Sequence, residues 1–499
     1  MADSRVRAYI SMCLKAKALC SPSTPYCVMC SQKAAFELAI CYRVGFGVLR
    51  NDEESRTMLN LSKKRREELE HEIFKLKQLR HGTLDLAFRE GNFRELLRKG
   101  YIPTISFAPH YNEHQRWDRI ELEYRREIRD MESVFGDTHV LVNSLKSTLS
   151  NILSSQGIWK KSEELLMQVL EIRKRVLGSQ HADTITSMAN LAFVINKQGR
   201  WKEAEKLFVE IKEMSLNAVG AEHPDTIDTM KCLASTFSSQ GRWKEAEKLN
   251  LQVIETRKRM LGVEHPDTLS GMASLATTFV GQGLLEKAEE MFLQVIDTST
   301  RVLGAEHRVT LMSMANLASA YREQRRLKEA EELILQVFEI RKRVMGLEHP
   351  VTLSSMANLA STILGQRRWK DAEELFLQVI DTSKRVLGVE HPDTLSRMSN
   401  LALTYRSQER WTEAERLNIQ VFEAQKKVMG IEHPSTITSI KNLASIFSHQ
   451  GRWKDAEKLY LQVIETRKRV LGAEHRSTVA AMAKLEAMYK REELETRRR

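Results

Sequence analysis

Residues 220–262 read GAEHPDTIDTMKCLASTFSSQGRWKEAEKLNLQVIETRKRMLG. The stretch opens as a turn followed by a helix start. Pro224 suits the first helical position, where a missing N–H costs nothing, and Asp225 suits the positive end of the helix dipole. From Thr226 to Gln240 the apolar residues Ile227, Met230, Leu233, Ala234 and Phe237 keep i, i+3, i+4 spacing, which predicts a helix. Gly241 supplies a left-handed stop. A second helix starts near Trp243 and runs to about Leu261, and Gly262 ends it. Val, Ile and Thr occur without strict alternation, so strands are excluded. The unit is a helix–turn–helix hairpin.

Working outward, the same unit returns in fixed phase. The seven tryptophans are Trp117, Trp159, Trp201, Trp243, Trp369, Trp411 and Trp453, each spaced by 42 residues or a multiple of it, with Leu285 and Leu327 in the two vacant slots. Nine of the 14 histidines keep the period from His139 to His475, as do nine glycines from Gly136 to Gly472. The chain has 499 residues, a length that by itself suggests about three ordinary domains. The unbroken period predicts one array instead, in which each copy contacts its neighbours. Small residues mark where the two helices of a copy approach: Ala192, Ala234, Ala276, Ala318, Ala360, Ala402 and Ala444 in the first, and Ala204, Ala246, Ala288, Ala330, Ala372, Ala414 and Ala456 in the second.

Leu191-Ala192, Gly199, Trp201, Ala204 and Phe208 fall on the recurring positions of tetratricopeptide repeats. The longer unit here, G-x-E-H-P-x-T-L…N-L-A…Q-G-R-W-x-E-A-E, resembles the kinesin light chain type, an extended repeat common in fungal arrays, alone or behind a nucleotide-binding domain. The resemblance covers about Phe135 to Glu495. It implies an all-α superhelical solenoid whose first helices line a concave, peptide-binding groove. Three copies depart from it: Arg325, Arg367 and Glu409 replace the inter-helix glycine, so those turns need another geometry or accept strain of order 1 kcal/mol. The first copy carries Ser150 and Ser162 at the two small positions.

Five segments follow: an N-terminal helical region, 1–62; a charged helix and linker, 63–116; a degenerate repeat helix, 117–136; eight 42-residue repeats, 137–472; and a capping helix with a basic tail, 473–499. Within the first, Ala34 to Tyr42 and then Gly45-Phe46-Gly47-Val48 resemble one copy of a shorter repeat related to the tetratricopeptide kind. One copy cannot bury its own apolar face.

Chemistry is sparse. No phosphate loop, dinucleotide glycine loop, G-x-S-x-G or H-E-x-x-H occurs, so no enzyme activity and no cofactor are expected. Cys27-x-x-Cys30 supplies at most two zinc ligands, without a second pair or a nearby histidine. Free thiols in a reducing cytosol are the expectation, with no metal. The periodic histidines stand one repeat apart, roughly 10–20 Å from two helix diameters, too far to share a metal. Their expected role is capping. No run of 18 apolar residues and no secretory signal is present, which predicts a cytoplasmic protein without a membrane partner. Net charge is +11, but residues 1–136 carry 24 Lys and Arg against 19 Asp and Glu, and the rest 53 against 47. That bias is too weak, and the aromatics too few, for a nucleic-acid binder. Basic clusters such as Arg257-Lys258-Arg259 and Arg341-Lys342-Arg343 read as solvated convex surface that complements helix dipoles.

Asn190, Asn316, Asn358, Asn400 and Asn442 share one position of the first helix. Bonding between repeats is one role for them. By the resemblance, the same position holds a bound peptide's backbone. Arg322 and Arg406 follow six residues after Asn316 and Asn400, and Lys231 and Lys441 stand one residue before the slot, so an acidic or carboxylate-bearing segment is one ligand and plain solvated surface the alternative. The expected function is a protein-interaction scaffold or adaptor. A motor-cargo adaptor of the kinesin light chain kind needs long heptads, for which only about 18 residues near Lys63–Arg80 are available. A regulatory protein with a metal-binding N-terminal cysteine region is the third reading.

Overall fold

The computed structural model describes residues 117–498, together with Glu67. The cysteine cluster, the short repeat near Ala34, the charged segment after Ser62 and the linker before Trp117 lie outside the described residues. Every described element is helical. A leading helix, α1, spans Trp117–Phe135. The first helices of successive copies are α2 Val140–Ser155, α4 Ala182–Lys197, α6 Pro224–Ser239, α8 Pro266–Gln282, α10 Arg308–Glu323, α12 Pro350–Gly365, α14 Pro392–Ser407 and α16 Pro434–His449. The second helices are α3 Trp159–Leu177, α5 Trp201–Val219, α7 Trp243–Leu261, α9 Leu285–Leu303, α11 Leu327–Met345, α13 Trp369–Val386, α15 Trp411–Val428 and α17 Trp453–Val470, and α18 Arg476–Arg498 closes the array. The chain divides into two compact units, residues 1–152 and 153–499. In the first, Lys146 pairs with Glu132 at 2.6 Å, and Val142, Leu145, Leu149 and Ile152 are buried.

The H-P-x-T motif builds the helix starts. From His181 to His433 each periodic histidine takes an extended N-cap conformation, and from His181 to His475 its Nδ1 accepts the backbone N–H two residues on at 3.1–3.3 Å. That satisfies one of the four N–H groups a helix leaves open at its start. Three residues after the histidine, Thr226 donates from Oγ1 to the Gly220 carbonyl at 2.8 Å, tying the new helix to the end of the last. The Gln-Gly-Arg-Trp motif builds the turn between helices. Gly241 stands at φ 76°, Arg242 N–H donates to the Phe237 carbonyl at 2.9 Å and Gly241 N–H to Ser238 at 3.0 Å. This is the paired-bond Schellman closure. Arg325, Arg367 and Glu409 keep the same turn at φ 64°, 65° and 61°, so these copies accept the strain.

Packing follows the small residues. Every alanine of both series is buried, 4% exposed at most. Between them sit Phe208, Phe292 and Phe376, all fully buried. Polar side chains keep successive copies in step. Gln240 Nε2 and Arg242 Nη1 both donate to Glu205 of the preceding copy, at 2.8 and 2.7 Å, while Arg242 Nη2 reaches Glu245 at 2.6 Å. The guanidinium lies over the Phe237 ring, 4.2 Å from its centre. Arg326 with Glu289 and Tyr321, and Arg410 with Glu373 and Tyr405, repeat the arrangement. These half-exposed pairs add little energy singly but define register.

The basic clusters are only partly the solvated surface the sequence predicts. Arg257 and Arg341, the first residue of each, are buried: Arg257 donates to the Asp267 carbonyl of the next copy and to Asp228 of its own, and Arg341 to Ser355 Oγ of the next copy at 2.7 Å. One copy on, the partners are exchanged, and Arg397 donates to Ser383 Oγ at 2.9 Å. Only the remaining members face out, and Arg259 and Arg343 still reach Glu222 and Glu306 in the opening turn of their own copy. The helix carrying these groups is amphipathic, so its first arginine rotates inward.

Candidate functional site: the inner face of the array

From α3 onward consecutive helices pack against one another, and first helices also touch the next first helix: α4 with α6, α6 with α8, α8 with α10, and so on to α14 with α16. Helices drawn together on one side of a curved stack form its inner wall. The candidate residues Asn190, Lys231, Asn316, Arg322, Asn358, Asn400, Arg406, Lys441 and Asn442 all stand on first helices. Asn358 is exposed and the other eight are half-buried. Among the described residues the five slot amides make no side-chain hydrogen bond. The nearby amide that does bond across copies is Asn196, which donates to Thr236 Oγ1 at 3.2 Å. Arg322 reaches only Ser319 Oγ, at 3.3 Å.

Charge concentrates at the C-terminal end of this wall. Arg406 on α14 and Lys441 on α16 have no carboxylate partner among the described residues. Burial holds the Lys441 ammonium below the usual lysine value, and Arg467, Arg406 and Lys484 push it the same way. Burial likewise lowers the Arg406 guanidinium, against the pull of the Tyr460 hydroxyl. Tyr460 is buried, which raises its own value, although a bond with Ser445 opposes the rise. Arg467 donates to the Ser477 carbonyl at 2.7 Å. Arg406 and Lys441 are thus half-buried cations, the first lowering the second's tendency to hold a proton, with no carboxylate paired to either among the described residues.

Sequence reasoning named Arg406 and Lys441 separately, each by its distance from an asparagine, and missed Tyr460, Ser445, Arg467 and Lys484. The two cations hold different positions in the 42-residue frame, and the contact of α14 with α16 brings them within reach of each other's charge. A hint lay in the absence of an Asp or Glu anywhere on α16. The remaining candidates line the wall without clustering. Among the described residues no group of His, Cys, Asp or Glu is arranged to hold a metal, and no helix is long and apolar enough to cross a membrane.

Comparison with known proteins agrees with this architecture. The tetratricopeptide repeat family matches in seven overlapping segments that run without a gap from residue 187 to 494, and again at residues 144–183. No curated protein matches the sequence. Among solved structures, the nearly identical TPR-like repeats of a Podosopora anserina protein described as a kinesin light chain are 29% identical, covering 40% of this chain and 94% of that one, with a TM-score of 0.35. BtubC (BKLC) from P. vanneervenii is 18% identical over 46% of this chain and 93% of its own, with a TM-score of 0.39. The apo quorum sensor NprR from B. thuringiensis is 15% identical over 74% and 99%, with a TM-score of 0.46. With its 42-residue hairpins, its capped helix starts and family matches over most of its length, the chain belongs to the tetratricopeptide repeat family.

Proposed function

We propose that the protein is a non-enzymatic cytoplasmic scaffold that takes a protein or peptide segment along the inner wall of its array, and that the segment is acidic where it meets Arg406 and Lys441. The observation that carries this reading is the coincidence of unbonded slot amides with two desolvated cations that lack carboxylates. Half-buried amides and cations with no protein partner are free to exchange water for a ligand's polar groups. Amides at one position of successive first helices suit an extended backbone, and the cations suit a side-chain or terminal carboxylate.

The experiment is capture with the full chain as bait, followed by crosslinking and mass spectrometry. Crosslinks are expected to fall on the first helices. Arg406→Ala with Lys441→Ala is expected to weaken capture of an acidic segment about tenfold or more, the equivalent of about 1.4 kcal/mol, and Asn316→Ala with Asn358→Ala and Arg322→Ala to weaken it further. Partners that survive all five changes, or crosslinks confined to the second helices, would refute the groove reading.

A further inference from the structure

Contacts between distant copies stand apart from the neighbour-to-neighbour packing. His391 lies against the end of α2, with Nε2 3.1 Å from the Ser155 carbonyl oxygen, and His433 against the end of α4, with Nε2 3.2 Å from that of Lys197. Each pair is 236 residues apart, between five and six copies. A third histidine, His475, engages the Gln240 backbone at the end of α6. Residues 153–499 therefore coil until later helix starts meet earlier helix ends.

The chemistry of the three contacts is the same. Nδ1 of each histidine already accepts a backbone N–H: from Asp393 at 3.1 Å, Ser435 at 3.2 Å and Ser477 at 3.1 Å. The ring proton of a neutral imidazole must then sit on Nε2, which donates outward. Ser155 and Lys197 are the last residues of their helices, where carbonyls lack an intrahelical donor. One side chain thus closes an open helix start and an open helix end at once. The Trp159 ring stacks on His433 with centres 5.4 Å apart.

Glycine usage matches this seam. A β-carbon at Gly157 would stand 2.2 Å from Pro392 Cδ, one at Gly199 2.6 Å from Pro434 Cδ, and one at Gly241 2.7 Å from His475 Nε2. Gly283 and Gly451, in the same turn of other copies, would meet nothing within 4 Å. All three glycine-to-side-chain departures, Arg325, Arg367 and Glu409, fall in copies with too little chain after them to receive a turn 235 or 236 residues later.

We propose that residues 153–499 are held as a closed coil by a three-rung latch, in which His391, His433 and His475 dock on the glycine turns after α2, α4 and α6, and that releasing the latch opens the coil. The latch stands independently of what the inner wall binds. It gives the array two states, closed and open, that differ by three small contacts rather than by repacking of any copy.

The test is small-angle scattering of the full chain. Asparagine keeps a capping oxygen but lacks the reach of Nε2. The triple variant His391→Asn, His433→Asn, His475→Asn is expected to keep its helical circular dichroism and shift to a larger radius of gyration and maximum dimension. The matched triple His223→Asn, His265→Asn, His307→Asn alters three caps away from the seam and is expected to leave both unchanged. A second pair removes any dependence on cap strength. Gly157→Ala and Gly451→Ala meet the same backbone penalty, at φ 75° and 77°, and only Gly157→Ala is expected to expand the chain. Equal dimensions for both members of each pair would overturn the latch. So would equal expansion.

Discussion

His391 shows how much one residue carries in this array. Its Nδ1 caps α14 and its Nε2 holds the end of α2; the cap needs the neutral ring, because Nδ1 must accept, whereas the Nε2 donor bond to the Ser155 carbonyl favours the protonated form. Burial keeps its value below that of a free imidazole, with Arg397 adding to the effect and Asp393 opposing it. His433, stacked on Trp159, is lowered by burial, and His475 by burial and then Arg467. A lowered imidazole contributes stability that is complete above about pH 6.5 and is lost as the pH falls through the lowered value. Thermal unfolding of the wild type is therefore expected to lose more on acidification from neutral pH than that of the His391, His433, His475 triple asparagine variant. Parallel losses would show that the latch histidines do not titrate with folding. The turn residues give a second prediction at this scale. Arg367 sits at φ 65°, where a long side chain is strained. Arg367→Gly is expected to stabilise the protein by about 1 kcal/mol, read from denaturant unfolding.

At the scale of the helix pair, two buried positions decide the fit. Ala246 is fully buried on α7. Ala246→Leu is expected to overpack the contact and cost about 1–3 kcal/mol in unfolding free energy. The second position lies four residues after that alanine. It holds Phe208, Phe292, Ile334, Phe376 and Tyr460 in five copies but Asn250 and Asn418 in two, all buried. Asn250 donates to Thr278 Oγ1 at 3.0 Å. Asn418 donates to the Ser439 carbonyl at 2.9 Å, yet its Oδ1 is buried without a partner. Asn418→Ile is expected to raise the unfolding free energy by about 1 kcal/mol, because an orphaned acceptor gives way to an apolar group that other copies accept there. Asn250→Ile, which discards a satisfied bond, is expected to gain less.

At the scale of the coil, copies are interchangeable units of 42 residues. Deleting residues 286–327 removes one copy in phase and joins Leu285 to Lys328. Every neighbour contact is then re-formed by equivalent residues. The seam shifts by one copy: the Gly157 turn meets His433 and Pro434, the Gly199 turn meets His475, and three rungs become two. The deletion variant is expected to remain helical and closed in scattering, with a smaller radius of gyration. Unfolding on removal of one copy would show that the coil depends on its particular length.

What the sequence determined by itself is everything that repeats within one copy or between two neighbours. The Trp, His and Gly phases located the helices to within a few residues, because caps, turns and the alanine contact are local chemistry written into each 42-residue frame. The slot asparagines were legible as one aligned row for the same reason. Tertiary structure alone decided that Arg406 and Lys441 share one desolvated neighbourhood, that Arg257 and Arg341 turn inward, and that His391, His433 and His475 act as more than caps. Those outcomes depend on the small rotation between successive copies. No single copy encodes the sum of five or six such rotations, and that sum sets which surfaces separated by 236 residues meet.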